Sequence, residues 1–168
     1  MSLSMYQASI PLLARGLENL AAILLKAAAH AESRRIAPQV FLDARLAPDM
    51  FPLVRQVQIV SDTAKGCAAR LAGVEVPSFA DTEASFAELQ ERIARTLAFL
   101  NGIAAAQVDG SEERPIVLKM HEREVHFTGQ TYLLEFALPN FFFHLTTAYG
   151  ILRHNGVEIG KADYLGKI

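Results

Sequence analysis

One cysteine, Cys67, is all the thiol this chain of 168 residues carries, so no internal disulfide can form and the fold must rest on its core. Nor is there a surplus of positive charge. The 16 Lys and Arg residues stand against 18 Asp and Glu, a formal net charge of -2. No global positive field exists to hold a phosphate backbone, and general nucleic-acid binding is not expected. The N-terminal segment MSLSMYQASIPLL has neither a charged leader region nor a small-residue cleavage site, which makes the cytoplasm the expected compartment. The longest apolar tract, Tyr132 to Leu145, is interrupted by Glu135, Pro139, Asn140 and His144. It is too short and too broken to cross a bilayer unaided, so no membrane span is expected. Internal repeats, low-complexity segments and complete catalytic motifs are absent. What the chain has is apolar mass, and a single domain of this size can bury roughly 70% of its unfolded surface without help from a metal.

That mass is laid out with one recurring period. Tyr6, Ile10, Leu13, Leu17, Leu20 and Leu24 are spaced four and three apart, a stripe along one side of a first helix that fades toward Pro38. The segment FLDARLAPD (Phe41 to Asp49), with Pro48 and Pro52 around it, reads as a connector with one helical turn. A second helix carries Leu53, Val57, Val60, Ala64, Cys67 and Leu71, with Gly73 where a left-handed C-cap belongs. A third begins near Asp81 or Thr82, residues that cap well, and carries Phe86, Leu89, Ile93, Leu97 and Leu100.

After Asp109-Gly110 the period changes. Pro115 to Met120 and Glu124 to Thr128 alternate and are rich in β-branched residues around a charged His121-Glu122-Arg123 tip, which predicts a small hairpin. A fourth helix runs from about Gln130 to His154, kinked at Pro139 and stopped by Asn155-Gly156. The closing VEIGKADYLGKI has no helical stripe and is expected to lie across the bundle. The fold class is therefore all-α, a four-helix bundle with a β-hairpin between helices three and four, in one domain over residues 1–168.

The runs ARLAPDMFPLVRQVQ (Ala44 to Gln58), AARLAG (Ala68 to Gly73) and FFFHLTTAYGILRHNGVEIGKADYL (Phe141 to Leu165) resemble the DinB/YfiT-like superfamily of metalloenzyme-type bundles, in a branch known only as a domain of unknown function. The resemblance implies a site of three histidines on a divalent metal, one from helix two and an HxxxH pair from helix four. Imidazoles four apart share a helix face, and a third from a facing helix completes an open site. This sequence departs from that pattern. His144 matches one half of the pair, Ala148 stands in the other half, and helix two has no histidine; its nearest polar residues, Gln56 and Gln58, are poor ligands for zinc or nickel. No cofactor is expected, with a divalent metal left open, and the thiol transfer and isomerisation of the superfamily do not carry over to this chain.

At about 100° per residue, Asn140, His144, Thr147 and Ile151 share the inward stripe of helix four. Unpaired buried polar groups cost on the order of 1 to 3 kcal/mol each, so these must satisfy one another or line a wet cavity. One reading is a hydrogen-bonded core in which His144 bridges Gln56 or a backbone carbonyl. The other is a small-molecule pocket walled by Gln56, Asn140, His144 and Thr147. Arg45 and Arg153 are candidate anion contacts, although Arg45 pairing locally with Asp49 and Asp49 capping helix two is the plainer reading. Cys67 lies on the apolar stripe and reads as a packed thiol rather than a nucleophile. His121 and His126 read as solvated hairpin residues, and His30 and His154 as residues suited to helix C-termini.

The opposite side of helix four carries Leu138, Phe142, Leu145, Tyr149 and Leu152, a second apolar face that something must cover. The tail could do so; a two-fold homodimer is the expectation preferred here, and the resemblance implies pairing too. Two functional readings stand: a small-molecule-binding or non-catalytic bundle with a degenerate metal site, or an enzyme of transferase or isomerase type using His144 as acid or base.

Overall fold

The computed structural model describes residues 3–120 and 123–167. His121 and Glu122 of the expected hairpin tip lie outside them. Helix one is α1 (Met5–Arg34), opened by a capping box in which Ser4 Oγ accepts from the Gln7 amide and Gln7 Oε1 accepts from the Ser4 amide. Its predicted stripe is buried from Ile10 to Leu24, with Tyr6 half-buried at its start. By length and composition α1 is also apolar enough to cross a membrane, although Arg15, Glu18 and Lys26 break its apolar run. In this fold Leu13, Leu17, Leu20 and Leu24 belong to the bundle core. The connector contains the expected helical turn as α2 (Pro38–Leu42).

Helix two is α3 (Leu53–Ala72), and Gly73 ends it in the left-handed conformation at φ 70°. Asp49 does not cap it. Pro52 holds the N-cap position in an extended conformation, with no side-chain cap, and the first amide, that of Leu53, donates to the Ala44 carbonyl at 3.0 Å. Helix three, α4 (Phe86–Asn101), starts later than expected. Ser85 is its N-cap, accepting from the Glu88 amide at 3.2 Å, because Asp81 is drawn instead into ion pairs with arginines.

A short α5 (Ala105–Val108) leads to β1 (Ile116–Met120) and β2 (Arg123–Phe127), antiparallel with Ile116 opposite Phe127. Ile116 and Leu118 turn inward and Val117 outward, the alternation a half-buried hairpin requires. Helix four is continuous but not uniform: α6 (Gly129–Thr131), a π-helical turn (Tyr132–Ala137), then α7 (Leu138–His154). The irregularity expected at Pro139 thus lies just upstream of it. A proline has no amide and crowds the carbonyl one turn back, and the wider π turn accommodates both faults.

The packing of α7 corrects the wheel drawn from sequence. Its innermost stripe is Phe141, Leu145, Ala148 and Leu152. Phe141 lies so close to Gly16 of α1 that a methyl on Gly16 would stand 2.6 Å from its ring. The His144, Thr147 and Ile151 stripe is buried beside it. Leu145 and Leu152 are 2% and 0% exposed within the single chain, so they cannot form the outward contact predicted for them. Leu138, Phe142 and Tyr149 are half-buried.

The tail supplies cover there. It forms a short helix, α8 (Lys161–Leu165), that the sequence did not suggest. Its Tyr164 ring meets Tyr149 edge-on at 5.8 Å, its backbone accepts from Asn19 and Arg15 of α1, and Asp163 pairs with Lys26 at 2.5 Å.

Candidate functional site

The four polar residues expected to wall one pocket are divided by the fold. His144 and Gln56 form a closed pair across α7 and α3, with Nδ1 and Oε1 2.6 Å apart. Gln56 Nε2 donates to the Phe51 carbonyl at 3.0 Å, which turns Oε1 toward the imidazole. The proton is therefore assigned to His144 Nδ1, which donates, and Nε2 keeps a lone pair. Burial, and then the nearby positive charge of Arg55, lower the His144 pKa from its ordinary value. Thr147 returns its hydroxyl to the Phe143 carbonyl at 2.7 Å, a bond within its own helix.

This pairing has a measurable weight. His144→Ala strands the Gln56 carbonyl oxygen and leaves a void, and should cost about 2 kcal/mol in a denaturation midpoint. His144→Leu, which fills the space, should cost less. Because the folded pKa is depressed, the histidine's contribution is full above the unfolded value, about pH 6.5. It is lost as pH falls through the folded value, and the leucine variant should lack that slope.

Asn140 points elsewhere. Its Nδ2 donates to Thr63 Oγ1 of α3 at 2.8 Å, and both residues line an open cleft of about 770 Å³ between α3, the hairpin and the π-helical turn. Tyr132 and Phe136, four apart in the π turn, line it with nearly parallel rings 6.0 Å apart. Arg70 approaches the same place, its Nη1 donating to the Tyr132 hydroxyl at 3.2 Å. Arg55, Asp62 and Lys119 complete the charged part of the lining. Pi-helical turns cost stability and are frequent at functional sites. The α3 part of this lining was legible in the sequence: positions 55, 59, 62, 63 and 70 fall within roughly 100° of one another on a helical wheel.

Beside the cleft lies a polar clasp that sequence reasoning missed. Arg92 of α4, 1% exposed, donates to Asp62 at 2.7 Å, Asp81 at 3.0 Å and Glu83 at 2.9 Å. Gln58 donates to Glu83 at 2.8 Å, and Arg55 bonds both Gln58 and Asp81. Lys65, Arg92 and Arg95 gather around the Phe79 ring. Burial alone would raise the Glu83 carboxyl, but hydrogen bonds from Arg92 and Gln58 outweigh it and hold it below the ordinary value. No spacing rule links Asp62, Asp81, Glu83 and Arg92, which come from two helices and a loop.

The remaining candidates take structural positions. Arg45 donates to the Met50 carbonyl at 2.5 Å, a tie within the connector. Arg153 is exposed in the last turn of α7, outside the cleft lining. Cys67 is fully buried and its thiol is pushed up to about 12 by that burial, which removes the thiolate. His126 is exposed on β2, His154 ends α7, and His30 meets Phe41 edge-on at 5.8 Å.

The superfamily's metal can be tested against these side chains. Among the described residues no three His, Cys, Asp or Glu side chains gather as a ligand set, Ala148 is buried apolar surface, and His144 Nδ1 is already engaged. That donor set does not fit a three-histidine centre. A crystal structure described as a DinB family member protein from Shewanella denitrificans is 43% identical to this chain, with a TM-score of 0.88 over 97% of this chain and 92% of that one. No curated protein matches. The family described as "Domain of unknown function (DUF1993)" matches residues 5–165, and with fold, order of elements and identity in agreement, this chain belongs to that branch of the DinB-like helical bundles.

Proposed function

We propose that the protein is a small-molecule-binding bundle of the DinB-like kind, in which the family's metal site has degenerated and the binding place is the cleft between α3, the hairpin and the π-helical turn. One observation carries this reading: a cleft of about 770 Å³ whose lining joins two aromatic rings to Asn140, Thr63 and Arg70. Its size lies within the usual range for ligand pockets, and its lining sets Ile59, Val117, Leu118 and the two rings beside convergent polar and charged groups. His144 supports it indirectly: the one histidine that matches the superfamily's pattern has its Nδ1 engaged by Gln56.

A thermal-shift screen of metabolites tests the proposal. At least one compound should raise the melting temperature of the wild type and fail to do so for Asn140→Ala and Phe136→Ala. A screen with no hit that depends on either residue sinks the reading. Metal analysis of untagged protein tests the degenerate site: one transition metal per chain, lost on His144→Ala, would overturn that part.

A second reading, an enzyme using His144, is favoured by its fixed tautomer and depressed pKa, which present Nε2 as a neutral base at pH 7. Its signature would be turnover that falls as the imidazole protonates and vanishes in His144→Gln. We propose further that two copies pair through Leu138, Phe142 and Tyr149, the residues of the expected face that are half-buried in the single chain. Light scattering should then show a dimer that Phe142→Glu dissociates; a wild-type monomer at high concentration ends the idea.

A further inference from the structure

We infer that the cleft takes an organic acid, its carboxylate held by the fork of Arg70 and its flat apolar body laid against Phe136. The inference rests on the small-molecule reading above and narrows it to a class of ligand.

Arg70 carries the argument. It is half-buried on α3, its guanidinium carbon 5.8 Å from the centre of the Tyr132 ring, and its hydrogen bond in the fold is to a neutral phenol. Among the described residues no carboxylate forms an ion pair with it. The other cations around the cleft are provided for: Arg55 by Asp81, Arg92 by Asp62, Asp81 and Glu83, and Lys65 by Asp62. Lys119 reaches Glu124 at 3.8 Å from a largely solvated position. Among the described residues the one carboxylate lining the cleft, Asp62, is already shared between Arg92 and Lys65. What faces the open volume is therefore a net positive charge centred on Arg70, on a chain whose own net charge is -2. A guanidinium does not shed its proton on losing water, so a partly desolvated arginine without a counter-ion is completed by an anion, and its planar fork matches a carboxylate in two parallel bonds.

The surroundings define the rest of the ligand. Burial pushes the Tyr132 phenol up to about 12, so the hydroxyl that accepts from Arg70 keeps its hydrogen and can donate it to the second face of a bound acid. Tyr132 is 1% exposed and forms the floor, whereas Phe136 is half-buried and offers ring surface. Phe127 of β2 braces that ring at 6.1 Å. Such a wall favours a flat apolar group. Asn140 spends its Nδ2 on Thr63, so its Oδ1 remains for a hydroxyl or amide donor on the ligand. One unpaired guanidinium suits a single negative charge better than a phosphate dianion.

The test uses benzoate, benzamide and phenyl phosphate as probes, titrated into the ¹⁵N-labelled full-length chain and followed at the Arg70 Nε–H and the amides of residues 132–137. Benzoate should shift these signals saturably and bind about tenfold or more tightly than the neutral benzamide, the weight of a charge-assisted hydrogen bond. Arg70→Gln should erase that preference, Arg70→Lys should reduce it, and Arg153→Gln should leave it unchanged. If Arg70→Gln does not fold, the ratio in Arg70→Lys and Tyr132→Phe decides. Equal binding of benzoate and benzamide, undisturbed in the Arg70 variants, would overturn the acid while leaving a small-molecule cleft in place. Tighter binding of phenyl phosphate would overturn the carboxylate. No shift with any probe overturns the inference, and the metabolite screen then judges the broader reading by itself.

Discussion

Arg92→Ala is expected to lower the stability of the fold by about 3 to 5 kcal/mol, because removing the buried cation leaves Glu83 uncompensated and strips one of two cations from Asp62 and Asp81. In a chain of this size that corresponds to a fall in melting temperature of roughly 10 °C. The guanidinium is almost wholly enclosed and serves Asp62 from α3, Asp81 and Glu83 from the loop 74–85, and the Ala80 carbonyl at 3.1 Å. Without it, Glu83 loses its cation, Asp62 and Asp81 keep only Lys65 and Arg55, and the loop is held only by the Arg55–Asp81 and Gln58–Glu83 bonds. Asp62 and Asp81 keep 35% and 40% of their side-chain surface exposed, so water can recover part of the loss, which favours the lower end of the range. Arg92→Lys should fall between, since an ammonium cannot reproduce the fork.

The pH dependence has a definite sign. The folded pKa of Glu83 lies below its unfolded value, so its contribution is complete above the ordinary carboxylate range and is lost as pH falls through the folded value. The gap between wild type and Arg92→Ala should therefore be widest near neutrality and narrow in acid. Urea denaturation of both proteins at several pH values measures it. A gap below about 1 kcal/mol at neutral pH, the weight of an exposed pair, would show that the clasp is a surface feature.

Gly129→Ala is expected to be nearly as damaging, at about 3 kcal/mol, the upper end of the usual cost of overpacking. A methyl there would stand 1.9 Å from the Ser111 carbonyl oxygen and 3.0 Å from its carbon. Both are backbone atoms, and the Gln130 amide donating to the Glu112 carbonyl at 2.9 Å pins the two segments together. The requirement is space rather than a left-handed backbone, since Gly129 opens a right-handed helix. Relief would have to come from moving the start of helix four, which carries Tyr132 and Phe136. Gly129→Ala should then disturb the aromatic wall of the cleft, and with it the ligand binding proposed there, as well as stability, whereas Arg92→Ala acts first on the loop. Near-UV circular dichroism, which reports Tyr and Phe in a chain without tryptophan, should change in the glycine variant. Wild-type stability in that variant would mean the close approach does not exist.

Both effects arise between segments distant in sequence, and this divides what each level of structure specified. Local chemistry was enough for the four main helices, because a stripe spaced four and three apart needs no knowledge of the partner it faces. It was enough for Gly73, where only the left-handed conformation closes the helix, and for the Ile116–Met120 and Arg123–Phe127 pairing, whose alternation is the signature of a pleated ribbon. It also offered His144 bridging Gln56 as one of two readings, and the fold forms that pair.

Elsewhere the sequence offered equivalent choices that only packing resolved. Asp81 and Thr82 are the caps expected of helix three, but Asp81 is held by Arg55 and Arg92 and Ser85 takes the cap. Helix four presented two apolar faces, and a wheel cannot say that Phe141 and Leu145 press on Gly16 while the tail, as α8, lies over Tyr149. The π-helical turn has no spacing signal of its own, because it answers a steric fault at Pro139 that several backbone adjustments could relieve. The cleft is the extreme case. Its walls come from α3, the hairpin and the π turn, so Arg70, Thr63, Phe136 and Asn140 converge only after the bundle has closed, and their joint chemistry is a property of that closure.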